Sequence, residues 1–401
     1  MIIEPANRLK SVEEYYFSKK LQQIREMNLS GADVINLGIG DPDLSPSNEV
    51  IAKIIESVQR PQNHGYQSYR GIPDLRKSIA AFYKKTYNVS LDGETEVLPL
   101  LGSKEGIMHI SMAFLNPGDE VLVPDPGYPT YSSVTKLTGA KVVYYNLDEK
   151  KNWSPDYKNL SESVSSLTKI IWINYPNMPT GGKATDDIFK KIIEFAHFHK
   201  ILICHDNPYS MILNQGGFTS ILSFEGAKDV ALELNSLSKS HNMPGWRVGW
   251  VSGKKEYIDT ILKVKSNVDS GMFLPVQHGA IEALNNSVEW HKNRNEEYSL
   301  RRKKVWHLLD ILNCKYDSNQ VGLFVWAKLP DEEKNPEEFV ESILQSAKVF
   351  ITPGFIFGKM GARHVRVSLC NSESKIQEAA QRILSHPRFQ NKKTINSREK
   401  L

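Results

Sequence analysis

Ser236-Leu-Ser-Lys-Ser-His-Asn-Met-Pro-Gly-Trp-Arg-Val-Gly249 sets one lysine, Lys239, among three hydroxyls (Ser236, Ser238 and Ser240), with Arg247 eight residues further on. A lysine is protonated at neutral pH and is then a poor nucleophile. It becomes reactive when burial or neighbouring cations lower its pKa, and its covalent use is a Schiff base with a carbonyl. Hydroxyls beside a guanidinium make a phosphate seat, because the planar fork of donors is joined by short hydrogen bonds. Taken alone, a Ser-x-Lys turn reads as solvated surface ahead of a strand. The rest of the chain decides between the two readings.

A covalent lysine beside a phosphate seat is what pyridoxal 5'-phosphate requires. Asp206-Asn-Pro-Tyr209 follows the apolar run Ile201-Leu-Ile-Cys204 and so lies at the carboxyl end of a buried strand. Leu101-Gly-Ser-Lys-Glu-Gly106 precedes apolar residues at helical spacing (Ile107, Ile110, Ala113, Phe114), and a Gly-Ser step opening a helix offers free N–H groups to an anion. It lacks the spacing of a P-loop. Pro124-Asp-Pro-Gly-Tyr-Pro129 follows the strand-like Glu120-Val-Leu-Val123.

In their order along the chain these segments resemble the fold-type I aminotransferases of class I/II, from about Tyr15 to Leu384. Each motif is weak alone; their joint occurrence is specific. The resemblance implies that Lys239 holds the cofactor. It implies that Asp206 keeps the pyridine nitrogen protonated, which the ring needs to act as an electron sink. It further implies that Tyr209 donates to the phenolic oxygen and that Tyr128 stacks on the ring. Ser103, Lys104, Ser236, Ser238 and Arg247 then hold the phosphate. In His64-Gly-Tyr-Gln-Ser-Tyr-Arg-Gly-Ile-Pro-Asp-Leu-Arg76, Tyr66 matches the residue that reaches the phosphate of a partner subunit, so a homodimer is implied. Gly40, in Asn36-Leu-Gly-Ile-Gly-Asp-Pro-Asp43, matches the glycine whose backbone lines the substrate carboxylate pocket. A dinucleotide fingerprint fails there because Asp43 stands where a third glycine is needed. Arg366, in His364-Val-Arg-Val-Ser368, matches the clamp for the α-carboxylate. Tyr15, in Tyr15-Tyr-Phe-Ser18, joins the substrate side; this stretch and residues 64–76 look most like LL-diaminopimelate aminotransferases and similar bacterial enzymes.

One position departs from the pattern. Asn174-Tyr-Pro-Asn-Met-Pro-Thr-Gly181 places Met178 where the family carries an asparagine that donates to the phenolic oxygen. A thioether cannot donate, and Asn177 stands one residue early.

Composition agrees with an enzyme on small molecules. The chain has 401 residues, enough for a large and a smaller domain. Its net charge is +4, from 50 basic and 46 acidic residues, which argues against a nucleic-acid footprint. The three cysteines, Cys204, Cys314 and Cys370, form no metal-ligand spacing and fit a reducing cytoplasm. No metal is expected. The start Met-Ile-Ile-Glu-Pro has no basic leader, and no apolar run has membrane-spanning length.

Helical spacing (Ile72, Leu75, Ile79, Phe82; Ile188, Ile192, Phe195, Ala196) alternates with apolar runs at 120–123, 141–145, 169–173, 201–203, 230–232 and 248–251. That alternation predicts an α/β fold: a three-layer α/β/α large domain with a mostly parallel sheet, plus a smaller α+β domain built from both chain ends. The divisions are 1–35 as an N-terminal arm of the small domain, 36–288 as the cofactor-binding domain, 289–385 as the small domain and 386–401 as a polar, frayed tail. The function implied is transfer of an amino group from an amino acid (LL-diaminopimelate, aspartate or a relative) to a 2-oxo acid. A lyase of the same fold cleaving a C–S bond at Cβ is the alternative within the fold. A non-catalytic amino-acid or cofactor sensor is the alternative outside catalysis, and residues 1–35 are too few for the DNA-binding module such a sensor carries.

Overall fold

The computed structural model describes residues 3–390 apart from 13, 15 and 216. Tyr15 and residues 391–401 therefore lie outside the described residues.

After β1 (Ile35–Asn36), the large sheet is built from β2 (Val97–Leu100), β3 (Glu120–Asp125), β4 (Lys141–Asp148), β5 (Ser154–Pro155), β6 (Thr168–Asn174), β7 (Leu202–Asp206), β8 (Ala231–Ser236) and β9 (Gly249–Gly253). Their order is β2-β9-β8-β7-β6-β3-β4-β5. The strands from β8 across to β4 are parallel, whereas β9 is antiparallel to both its neighbours and β5 to β4. The six apolar runs are all strands. β2 escapes a sequence reading because Pro99 sits within it, a residue that a sheet accommodates most readily on an edge strand, which β2 is.

Successive residues of a strand face opposite sides. Ile171, Ile173 and Ile203 therefore join one core cluster with Ile188, Phe189 and Ile192 of the helix Asp186–His199. Ile170, Trp172 and Cys204 join another with Ile107 and Ile110 on the far side. Burial on both faces is why these strands read as unbroken apolar runs.

Among the described residues the first five α-helices are α1 (Tyr16–Leu29), α2 (Asn48–Val58), α3 (Pro73–Tyr87), α4 (Ser103–Phe114) and α5 (Pro129–Leu137), of which α1, α4 and α5 line the site. Proline opens α3 and α5, where its missing N–H costs nothing.

A second, antiparallel sheet has the order β10 (Lys315–Tyr316), β11 (Phe324–Lys328), then β14 (His364–Ser368) and β13 (Thr352–Pro353). It follows the long helix Val288–Ile311. β12 (Val349–Phe350) pairs in parallel with β1, which ties the early chain to this C-terminal layer. The stretch just beyond His386 is not frayed. Pro387–Gln390 form a helical turn, and Phe389 is buried edge-on to Phe339, since a phenyl ring gains more from the core than a polar tail gains from water.

Candidate active site

Strands β6, β7 and β8 end side by side, with Asn174 in register with Asp206 and Asp206 with Leu234. Crevices beyond the carboxyl ends of parallel strands are where such sheets bind ligands. A cavity of about 550 Å³ opens there between the two sheets.

One wall is polar and comes from two short stretches, residues 102–104 and 236–249. α4 starts at Ser103 after Gly102, whose φ of +90° suits glycine, and a Cβ on Gly102 would strike the Arg247 guanidinium. A Cβ on Gly249 would stand 2.6 Å from the Ser103 amide nitrogen, so the backbone there has no room for a side chain. Arg247 itself holds a left-handed φ of +56°, uncommon for a residue with a side chain and of order 1 kcal/mol unfavourable. Its Nη1 donates to Ser238 Oγ (3.4 Å) and the Pro244 carbonyl (2.8 Å). Ser236 Oγ donates to Ser238 Oγ at 2.9 Å and accepts from the Ser238 amide at 3.1 Å. Lys104 lines the same wall, its pKa lowered first by burial and then by Arg247.

Lys239 lies in the single turn Leu237–Ser240 that follows β8, and its Nζ donates to the Gly40 carbonyl. Burial lowers its pKa, assisted by Arg366 and Arg247 and opposed by Cys370 and Asp41. That is the condition under which a lysine amine becomes a nucleophile. Asp206 is buried; its Oδ2 accepts from Tyr131 Oη at 2.8 Å, and its Oδ1 has no hydrogen-bond partner among the described residues. Burial raises its pKa to about 6, against the Tyr131 hydrogen bond and the His205 charge. Tyr128 and Tyr209 line the cavity nearby, and burial pushes the Tyr209 phenol well up.

The opposite wall is assembled from distant segments. Arg366 of β14 is buried, and its Nη2 donates to the Gly38 carbonyl at 2.7 Å. Phe324, Phe357 and Phe17 surround its guanidinium, with ring centres 3.9, 4.7 and 5.4 Å from Cζ. Gly40 lines the cavity beside them, where a Cβ would collide with the Phe324 ring. Met178 faces this cavity too, its sulfur 3.1 Å from Arg366 Nη1. Asn177 turns away; its Oδ1 accepts from the Thr180 amide and hydroxyl.

Ser103, Lys104, Tyr128, Asp206, Tyr209, Ser236, Ser238, Lys239, Arg247, Gly40 and Arg366 thus share one cavity. Tyr66 does not; it is 92% exposed on the loop before α3. The sequence reading missed Tyr131 and Asn174. Tyr131 lies one helical turn after Tyr128, and its face of α5 was the available signal. Asn174 ends β6 beside Asp206 and donates to the Asp206 carbonyl at 2.6 Å while accepting from the Met178 amide at 2.7 Å. Among the described residues one set of metal-type donors gathers elsewhere, Glu105, His109 and Asp269, within 4.8 Å of one another. Lys265 Nζ already sits 2.8 Å from both Asp269 oxygens, in the place of a cation.

The model of the aminotransferase class I and II family matches residues 32–383. The chain belongs to that family. LL-diaminopimelate aminotransferase of Halothermothrix orenii is 41% identical over 95% of this chain and 98% of its own length. That of Aquifex aeolicus is 40% identical over 95% and 99%. Among solved structures, substrate-bound BacF from Bacillus subtilis superposes with a TM-score of 0.90 at 35% identity, over 96% of this chain and 97% of that one. The protein is an aminotransferase, and its cofactor is pyridoxal 5'-phosphate. The cavity fits that group: a partnerless buried carboxylate oxygen suits a protonated ring nitrogen, a softened lysine suits its carbonyl, and the Gly102–Ser103 turn with Arg247 suits its phosphate. Among the described residues no helix is long and apolar enough to cross a membrane.

Proposed function

We propose that this cavity is where the amino group is transferred and that the residues named from the sequence divide the work as follows. Bound here, pyridoxal phosphate supplies a carbonyl for amines and a ring that withdraws electrons from the Cα bond being broken. Lys239 Nζ would attach the cofactor, yield to the substrate amine, and then carry the proton it takes from the substrate Cα to the cofactor's C4′ carbon. Asp206 Oδ1 holds the ring nitrogen protonated. Tyr209 donates to the phenolic oxygen, Tyr128 covers the ring, and Ser103, Lys104, Ser236, Ser238 and Arg247 hold the phosphate. Arg366 takes the substrate α-carboxylate through paired hydrogen bonds, with the Gly38 and Gly40 backbone shaping that end. The observation that carries the reading is the buried, partnerless Asp206 Oδ1 in one cavity with the softened Lys239.

Amine donors to test are LL-diaminopimelate, which the relatives' names bring, and aspartate. The division of the chain at 36 and 289, a homodimer completed by Tyr66, and a cytoplasmic location belong to the same proposal. Exposed Tyr66, Tyr69, Val268 and Phe273 support the dimer, since a Cβ on Gly271 would touch the Gln67 carbonyl and so the two loops form one surface. Sedimentation is expected to give a dimer; a monomer with full cofactor content and activity would refute it.

The experiment for the function itself is a panel of amino acids incubated with the holoprotein and a 2-oxo acid. The expected result is a new 2-oxo acid matched by a new amino acid. Pyruvate and ammonia from a sulfur-bearing donor, with no amino acid formed, would mean the lyase. Binding without any product would mean the sensor.

A further inference from the structure

β7 sends Asp206 and its neighbour His205 to opposite faces of the sheet. His205 is fully buried against Phe189, on the face away from the cavity. Its Nδ1 lies 2.9 Å from Glu233 Oε2, directly across in β8, and its Nε2 lies 2.9 Å from the Tyr175 carbonyl oxygen. The carbonyl can only accept. Glu233, also fully buried, is surrounded by donors: Tyr83 Oη at 2.9 Å, Ser220 Oγ at 2.8 Å and the Ile221 amide at 3.1 Å. Burial and Glu233 push the Tyr83 phenol well up, so it stays a donor. With Glu233 as a carboxylate, both ring nitrogens of His205 face acceptors, an arrangement that the doubly protonated ring satisfies.

A buried ion pair contributes little to stability compared with two well-packed apolar side chains. Its placement one residue from Asp206 is what gives it a use. We propose that His205 is a positioning residue: fixed as an imidazolium between Glu233 and the Tyr175 carbonyl, it holds the adjacent Asp206 as an anion and so sets how firmly the cofactor's ring nitrogen is gripped. The influences that oppose burial at Asp206 are the Tyr131 hydrogen bond and the charge on His205. Tyr131 acts from the cavity side and His205 from behind the sheet. This rests on the reading of Asp206 as the partner of the ring nitrogen.

Two measurements test it. In the unmodified holoprotein labelled with 15N-histidine, both ring nitrogens of His205 carry protons at neutral pH. A bare nitrogen overturns the proposal, and this readout needs no variant to fold. The second is cofactor affinity in a cycle of variants. Removing the pair as His205→Gln with Glu233→Gln keeps hydrogen-bonding side chains and deletes both charges. With Asp206 present, cofactor binding is expected to weaken about tenfold, the equivalent of one pKa unit at the carboxylate. In an Asp206→Asn background the same pair of changes is expected to do nothing. Equal losses in both backgrounds would show a packing role alone and overturn the proposal while leaving Asp206 in place. An Asp206→Asn protein that binds cofactor as tightly as the unmodified one would overturn the Asp206 reading, and this proposal with it.

Discussion

The two ends of the cavity are built on opposite plans. At the Arg247 end the donors come from two short stretches, 102–104 and 236–247, largely hydroxyls and amides, and the arginine is exposed. At the Arg366 end one arginine is buried between three phenyl rings and a thioether, drawn from positions 17, 178, 324 and 357. A phosphate keeps most of its charge beside water and needs many modest donors. A carboxylate taken from water into an apolar wall needs one strong paired contact, because the low dielectric magnifies both attraction and any mismatch. The difference teaches that the first end should fail gradually when changed and the second abruptly.

Arg366→Leu gives the largest expected effect. Losing two charge-assisted hydrogen bonds of roughly 1.5–3 kcal/mol each should lower kcat/KM for amino donors by about 10²–10⁴-fold. Cofactor content should be unchanged, as read from the visible absorbance. Should the loss prove less than about tenfold, Arg366 would not be the carboxylate clamp and the contrast would break.

Arg247→Ala comes next. It removes one charged contact from a shared seat, so cofactor affinity should fall by about 10–100-fold, and by less for Ser236→Ala or Ser238→Ala. Equilibrium dialysis measures it. Unchanged affinity would put the phosphate elsewhere.

The contrast also explains what the sequence made legible. The lysine, its serines and Arg247 fall within residues 236–249, and Gly102–Ser103 opens a helix, so contiguous residues displayed that end before any fold was known. Apolar runs likewise announced the parallel strands, since burial on both faces leaves a continuous signature. The Arg366 end had no such signature. Phe17, Phe324 and Phe357 look like ordinary core residues until β14 brings Arg366 among them. Met178 was visible as a departure, but its approach to Arg366 depends on a loop whose path the sequence does not state. Tyr131 and the His205–Glu233 pair were hidden for a similar reason, because cross-strand and helix-to-strand pairing is non-local.

A third prediction sharpens the electrostatics between the two ends. In the cofactor-free protein the Asp206 pKa is raised to about 6, so the folded state binds its proton where the unfolded chain has already lost it. This group's contribution is therefore fully present at low pH and is lost as pH rises from the ordinary carboxylate range, near 4, to about 6. Asp206→Asn should flatten that part of the cofactor-free stability curve, measured by thermal unfolding. A curve of the same shape in both proteins would contradict the buried, poorly paired carboxylate.

The smallest effect belongs to Met178→Asn. A restored amide donor to the phenolic oxygen should lower the pH midpoint of the bound cofactor's absorbance change by on the order of one unit. No shift would mean that the Met178 position serves Arg366 alone.

All of this hangs on one bond. Borohydride reduction of the yellow holoprotein, followed by proteolysis and mass analysis, tests it most directly. The account predicts the phosphopyridoxyl group on a single peptide, at Lys239. Its recovery on Lys104, the other lysine softened in the same cavity, would contradict the account.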